Sequence, residues 1–425
     1  MFRRAFVILA STLALAACGG TAGLSGGGPL ATAPTVPLAP GAPGAPAASP
    51  VAPAGRTITL LAPLSGQLAD RGQALANAAQ LALASPGSPP LDVRDTGGTP
   101  EGAAQAATAA LAAGTGLFIG PLTAGETAAV APLAERAGVP VLAFTNDPAA
   151  ARPGVWPLGI TPVQQVRRMV GAAQAEGKSR FAAALPNTPF GQAMASALTQ
   201  ATSASGSATA DVRFYEPTNS GISATLRDLS DYAGRRGPIE ARRRAALNQH
   251  TATGRAEAAA LSREGVAPPP FDALLLAETG DRLAWLSTFL PYYDISPAQV
   301  QVMGPALWAT PATRAGANLV GAWYAAPDPA AHGNFAQAYT AKFGVPPQPL
   351  ADLAFDAAAI GRVLAQENGY AAAALCRPEG FAGVDGLLAF QADGHVRRGL
   401  ALFRLTAGQP EMIEPGPDTV AAPGI

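Results

Sequence analysis

Short apolar runs alternate with helical stretches along most of this chain, and that alternation restricts the fold more than any single motif does. Thr57 to Ala62, Leu91 to Arg94, Leu117 to Gly120 and Val139 to Phe144 read as strands. Helical stretches lie between them, around Asp70 to Ala84, from Thr99-Pro100-Glu101 onward, and from about Thr123 to Ala137. Thr99 suits an N-cap, Pro100 suits a first turn, and Glu101 suits the positive end of a helix. A second series follows. Thr161-Pro162 opens a helix with Val163, Val166, Met169 and Val170 on one face, and Thr188-Pro189 opens another. Arg180 to Leu185, Val212 to Tyr215, Phe271 to Ala277 and Val300 to Met303 are its strands. Strand–helix–strand repeats of this spacing indicate a mostly parallel sheet flanked by helices. Two such series predict an α/β protein with two lobes, each a mostly parallel sheet between helices, and a hinge and cleft between them.

The chain then returns to its first half. Leu319 to Ala325 is extended, Asp328-Pro329 starts a helix, and Leu350, Leu353, Ala354, Ala357, Ile360 and Leu364 mark one apolar helical face. Gly386 to Phe390 and Leu400 to Leu405 read as the last strands, joined by the turn Ala392-Asp393-Gly394-His395. This reading assigns 56–161 plus about 325–385 to lobe 1, about 162–324 plus 386–412 to lobe 2, and 413–425 to a tail. Open α/β sheets hold ligands where strands end and loops turn into helices, so the cleft is the expected site.

The N-terminus concerns location. Arg3 and Arg4, about a dozen apolar residues, and Leu15-Ala16-Ala17-Cys18 have the charge, length and small-residue ending of a secretory signal. The run is too short to span a bilayer. Its ending resembles the bacterial lipobox, which implies that Cys18 becomes the lipidated first residue and anchors the chain without spanning the membrane. Gly19 in place of Asp leans toward the outer membrane, inner leaflet, facing the periplasm. Residues 19–55 contain no charged residue and are dominated by Gly, Ala and Pro. They are expected to form a disordered tether with a reach on the order of 100 Å at about 3.1 Å per residue. Cys18 and Cys376 are the two cysteines, so with Cys18 lipidated no disulfide framework is available.

The motif order identifies a resemblance. ITLLAPLSGQLADRGQALANAAQLAL resembles the opening of type I periplasmic binding proteins of the leucine/isoleucine/valine kind. LFIGPLTAGETAAVAPLAERAGVPVLAFTND, LPNTPFGQAMASAL and FAGVDGLLAFQADGHVRRGLALFRL resemble that family's later landmarks, in order, over roughly residues 56 to 408. Within the superfamily the chain is most similar to the penicillin-binding-protein activator lipoproteins. The lipobox with its tether, an extra segment 234–265, and PFDALLLAETGDRLAWLSTFLPYYDI followed by GPALWATPA carry that similarity.

The resemblance implies a set of cleft positions. An amino-acid receptor needs hydroxyl and N–H donors for a carboxylate, an acid for an ammonium, and aromatics over the side chain. Ser65 lies in the first loop. The family's Ser position falls on Ala124, with Thr123 and Thr127 beside it, and Thr145 and Asn146 are donors in the second loop. Arg71 stands where an aromatic usually precedes the helix glycine, Phe190 keeps the later aromatic, and Glu278 or Asp281 lies near the acidic position. Several have plainer readings: Thr123 as a helix N-cap, Thr145 as a turn residue, Arg71 as a solvated arginine or an anion ligand, and the acids as companions of a helix N-terminus.

The segment 234–265 carries Arg235, Arg236, Arg242, Arg243, Arg244, Arg255 and Arg263, and its second half reads as a helix. It suits a protein partner or an anionic polymer, or is a solvated face. Asp95-Thr96-Gly97 occurs once, whereas an aspartic protease needs two apposed carboxylates. His250, His332 and His395 have no metal-ligand spacing. No nucleophile elbow, phosphate loop or dinucleotide fingerprint is present. Net charge is −1, which argues against nucleic acid as a partner. The expectation is a non-enzymatic regulator of peptidoglycan synthesis that contacts a penicillin-binding protein and needs no cofactor. The alternative is a substrate-binding protein that delivers an amino-acid-like solute to an ABC permease.

Overall fold

The structure, a computed structural model, describes residues 55–310, 316–367 and 369–417. The segment expected to be a signal, with Cys18, nearly all of the expected tether and residues 418–425 lie outside them. No helix among the described residues is long and apolar enough to cross a membrane.

The first lobe begins with β1 (Thr57–Ala62), α1 (Ala69–Ala82), β2 (Leu91–Asp95), α2 (Pro100–Ala112), β3 (Thr115–Ile119), α3 (Ala124–Ala137), β4 (Val141–Ala143) and β5 (Val155–Pro157). Its five strands are parallel in the order β2-β1-β3-β4-β5. Side chains alternate across the sheet as the pleat requires. Ile58, Leu60 and Ala62 face one core, and Leu61 faces a second one built with α2 and α3.

The second lobe carries α4 (Pro162–Ala175), β6 (Phe181–Pro186), α5 (Pro189–Ala204), β7 (Asp211–Tyr215), α6 (Asn219–Leu229), α7 (Tyr232–Asn248), α8 (Ala252–Leu261), β8 (Ala273–Leu276), α9 (Gly280–Tyr292), β9 (Gln301–Gly304) and β10 (Trp323–Ala326). Within this sheet β7-β6-β8-β9-β10 repeats the strand order of the first lobe, also in parallel. Each lobe therefore reverses strand order beside its first strand, between β1 and β3 and between β6 and β8.

Asp272 fixes the start of that second pairing. Its carboxylate accepts from the N–H of Ser179 (3.1 Å) and Arg180 (3.0 Å), and from the Arg180 guanidinium at 2.5 Å. The Arg180 bond, against partial burial and with help from the two N–H donors, lowers the Asp272 carboxyl to about 2. A depressed carboxyl stabilises the fold above its unfolded value near 4, and that contribution disappears as pH falls toward 2. Arg180 is half exposed, so the contribution is about 1 kcal/mol. Asp272→Asn is expected to remove that part of the acid dependence in thermal unfolding between pH 5 and about 2.

The chain re-enters the first lobe through α10 (Pro329–Phe343), α11 (Ala351–Gln366) and α12 (Ala372–Leu375). Next come β11 (Phe381–Gly383), β12 (Gly386–Phe390) and β13 (Val396–Arg398), a small antiparallel sheet of its own. Leu388, Phe390 and Val396 pack into the first lobe's core with α1 and α11. The chain ends on β14 (Ala401–Arg404) and β15 (Glu411–Glu414), which extend the second sheet beside β10.

This corrects the sequence reading at three points. The partner of 386–390 is 396–398, so residues 386–398 belong with lobe 1 and the last crossing falls near Gly399. Residues 413 and 414 form part of an edge strand. Segment 234–265 is helical through most of both halves, with α7 and α8 enclosing a small core of Ile239, Ala246, Ala258 and Leu261. The physical reason is common to the first two: alternation identifies a strand but not which neighbour it pairs with.

Candidate functional site

Every residue singled out for the cleft lies at the carboxyl end of a parallel strand or at the start of the helix that follows it. Ser65 and Arg71 follow β1, Thr123 and Ala124 follow β3, Thr145 and Asn146 follow β4, Phe190 follows β6, and Glu278 and Asp281 follow β8. Four of these five loops flank the two points where strand order reverses, where open α/β sheets place their ligands.

Asp95 shapes the first loop. Its Oδ1 accepts from the N–H of Leu64 (2.8 Å), Ser65 (3.2 Å) and Gly97 (2.8 Å). Partial burial pulls its carboxyl upward, but the Ser65 hydroxyl and these N–H groups outweigh it and hold the group below the usual range. The Asp-Thr-Gly triplet thus braces a loop. Ser65 and Arg71 are both exposed.

Thr123 is the N-cap of α3. Its hydroxyl accepts from Glu126 N and donates to Glu126 Oε2 at 2.8 Å, while Glu126 Oε2 also accepts from Thr123 N at 2.9 Å. Glu126 Oε1 accepts from the Thr96 hydroxyl at 2.5 Å. The buried Glu126 carboxylate therefore joins the β2 loop to the β3 loop, and the Thr123 hydroxyl is committed to it. Ala124, half-buried, adds no side-chain donor. Thr145 is buried, and its oxygen accepts from Asp147 N at 3.1 Å in a local turn. Asn146 is exposed.

In the second lobe Phe190 is half-buried against the core that contains Val166 and Met194. Glu278 is buried, and its Oε1 accepts from the Tyr215 hydroxyl at 3.0 Å. Burial, then the Glu278 charge, raises the Tyr215 phenol well above its ordinary value, so it stays a neutral donor. The Glu278 carbonyl accepts from the buried Trp308 indole at 2.8 Å. Asp281 is exposed in the first turn of α9. The structure thus brings Thr123 into a network with Glu126 and Thr96, and Glu278 into one with Tyr215. Glu126 and Tyr215 were missed by sequence reasoning, although Thr123-x-x-Glu126 has the capping-box spacing.

The segment that leaves β5 for α4 is cross-tied. The Arg398 guanidinium donates to the Leu158 carbonyl through Nε (3.1 Å) and Nη2 (2.5 Å). Trp156 Nε1 donates to the Gln391 carbonyl at 2.7 Å, and Gln164 Nε2 to the Val396 carbonyl at 2.6 Å. Behind Arg398 lie Asp385, Asp356, Asp352 and His332. His332, isolated in sequence, has company in space. One donor atom each from His332, Asp352 and Asp385 lie within 4.8 Å of one another. Burial, then the Asp352 carboxylate, pushes the Asp385 carboxyl well up from its ordinary value. Two aspartates one turn apart on the otherwise apolar face of α11 were the available signal. Cys376 is half-buried at the edge of the first core, and burial pushes its thiol up.

Segment 234–265 docks through its first arginines. Arg235 donates to the carbonyls of Ser230 (2.6 Å), Ala267 (2.8 Å) and Tyr293 (2.7 Å), and Arg236 pairs with Asp294 at 2.7 Å. Arg242 pairs with Glu264. Arg244, Arg255 and Arg263 are exposed. Next to this junction is an open pocket of about 350 Å³ lined by Arg236, Glu264, Val266, Pro291 and Asp294 among others. Tyr292, 66% exposed, stacks on Tyr232 nearby.

Comparison with solved structures finds the same fold in several proteins. A candidate branched-chain amino acid ABC transporter protein from Rhodospirillum rubrum superposes with a TM-score of 0.66 at 19% identity, covering 84% of this chain and 99% of that one. The C-domain of LpoA from Haemophilus influenzae, a regulator of PBP1A, gives 0.59 at 18% identity, covering 84% and 99%. The match spans 59% of full-length LpoA. LivJ from Streptococcus pneumoniae, in complex with isoleucine, gives 0.50 at 18% identity, covering 84% and 99%. Identities this low establish shared architecture only. A comparison with curated proteins gave no match. The sequence profile described as periplasmic binding protein matches residues 56–410. With the type I fold in both lobes, the chain belongs to the periplasmic binding protein family.

Proposed function

We propose that this chain is a lipid-anchored, periplasm-facing regulator of peptidoglycan synthesis that acts through protein contacts, as a penicillin-binding-protein activator. The observation that carries the reading is the commitment of the Thr123 hydroxyl to Glu126, beside an alanine that offers no hydroxyl. A solute carboxylate would have to break a capping box to gain that donor. Leaving a buried carboxylate short of its donors costs on the order of 3 kcal/mol. Arg244, Arg255, Arg263 and Tyr292 are all exposed, and arginine and tyrosine are residue types that protein interfaces favour. LpoA, with the same fold, is described as a regulator of PBP1A.

A second reading is favoured by one observation. Glu278 is a buried acid at the point of strand reversal and is suited to an ammonium group, which supports a solute receptor for an ABC transporter. The two readings separate in one experiment. Thermal unfolding of the purified chain is followed against amino acids, short peptides and muropeptides, since a ligand of the native state raises the midpoint by mass action. The expected result is a flat panel, together with retention of a penicillin-binding protein in a pull-down. A saturable rise with one small solute, and no retained synthase, would establish the receptor reading. Reversing Arg244, Arg255 and Arg263 to glutamate is expected to weaken synthase retention at least tenfold without changing the unfolding midpoint. Unchanged retention would remove segment 234–265 from the interface.

A further inference from the structure

Asp352 and Asp356 stand one helical turn apart on α11, so both carboxylates leave the same face of the helix. That face meets the turn between β11 and β12. Asp356 is 2% exposed. Its Oδ1 accepts from Val384 N at 2.7 Å, and its Oδ2 has no hydrogen-bond partner. Gly383 lies against that oxygen, which would stand 2.4 Å from a Cβ there. Asp385, 6% exposed, reaches from the same turn to within hydrogen-bonding range of Asp352. From α10, His332 Nδ1 comes to 3.6 Å from Asp352 Oδ2.

This cluster is crowded with acids for its depth. Three largely buried carboxylates face one guanidinium, Arg398, whose Nη1 is 4.0 Å from Asp385 Oδ2 and whose Nε and Nη2 are turned to Leu158. Buried charge without a counterion is costly, by several kcal/mol per group. The orphaned Asp356 oxygen is a separate sign that acceptors outnumber donors here, from a residue that is not among the three mutually close groups. A divalent cation held by these oxygens would relieve the crowding of acids that one guanidinium and one imidazole face here.

We propose that His332, Asp352 and Asp385 form a site for a divalent transition-metal ion, with Asp356 as the negative charge behind it. One imidazole and two carboxylates suit Zn²⁺, which accepts nitrogen and oxygen donors in a four-coordinate shell. Ca²⁺ and Mg²⁺ prefer oxygen ligands alone and are poor matches to His332. The donors spread over up to 4.8 Å, wider than the roughly 3.3 Å edge of a tetrahedral zinc shell, so binding draws them together. His332 is the member free to move, since its side chain is 45% exposed whereas that of Asp352 is 13% exposed. The exposed imidazole edge also gives the ion its entry path and leaves room for a water as fourth ligand. The bound ion would join α10, α11 and the β11–β12 turn beside the Arg398–Leu158 tie.

The test uses the purified chain freed of metal with EDTA and then titrated with ZnCl₂, with CaCl₂ and MgCl₂ in parallel. The expected result is one Zn²⁺ per chain by calorimetry and a saturable rise of the unfolding midpoint with zinc alone. His332→Ala and Asp385→Asn should each weaken binding at least tenfold. His332 is half exposed, and Asp385→Asn keeps the shape while removing a buried charge, so both variants are expected to fold. Absence of a zinc-dependent rise in the unaltered chain would overturn the proposal. So would a rise that both folded variants retain, because the ion would then be bound elsewhere.

Discussion

Replacing Glu126 with alanine is expected to lower stability by about 3 kcal/mol or more, as read from urea unfolding at pH 7. Glu126 is fully buried and accepts from three donors, Thr96 Oγ1, Thr123 N and Thr123 Oγ1. Alanine leaves all three without their acceptor in a space too enclosed to supply water freely. Each such loss costs roughly 1 kcal/mol or more, and the N-cap of α3 is weakened in addition. Glu126→Gln retains an acceptor oxygen and the side-chain volume, so it should lose less than half as much. Equal losses for the two variants would show that packing, and not the donors, sets the cost. The same variants bear on function. If Thr123 is unavailable to a ligand because Glu126 holds it, then Glu126→Gln should not create or abolish any response to the solute panel.

Gly191→Ala is expected to destabilise by about 2–3 kcal/mol, although alanine is the better helix former by roughly 1 kcal/mol. The reason is a close approach. A Cβ at Gly191 would lie 2.0 Å from the Pro186 carbonyl oxygen at the end of β6, so the strand end or the start of α5 must move. Moving it also strains the Thr188 cap, whose oxygen accepts from Gly191 N at 3.1 Å. Gly171→Ala in α4 is the control. Nothing lies within 4 Å of a Cβ there, so propensity acts alone and the variant should gain up to about 1 kcal/mol. Opposite signs in the two midpoints would confirm that sterics decide at Gly191. A gain at both would mean that α5 can shift away from β6 at little cost.

The same device occurs in the first lobe, where a Cβ at Gly72 would meet the Pro63 carbonyl oxygen at 1.9 Å. Both positions belong to the motifs that carried the family resemblance, and the structure gives the repeated glycine its physical reason. The helix after the first strand of each lobe lies directly against the end of that strand. Strands and most helices were legible for a related reason. Apolar period, Thr-Pro starts and Gly ends are local, and their energetics act within a few residues.

What the sequence by itself determined is therefore the local order: parallel βαβ units in two series, the helix starts at Thr99, Thr161 and Thr188, and the loops that could face a cleft. Only the tertiary structure decided which strand pairs with 386–390 and that residues 386–398 belong to the first lobe. It alone assigned Glu126 to Thr96, Glu278 to Tyr215, and His332 to Asp352 and Asp385. Those partners lie 20 to 63 residues apart, and the Arg398–Leu158 tie joins residues separated by 240. Hydrogen bonds and buried charges are satisfied by whichever groups the packed cores bring within about 3 Å, and that distance is set by the packing of the whole lobe, which no local pattern encodes.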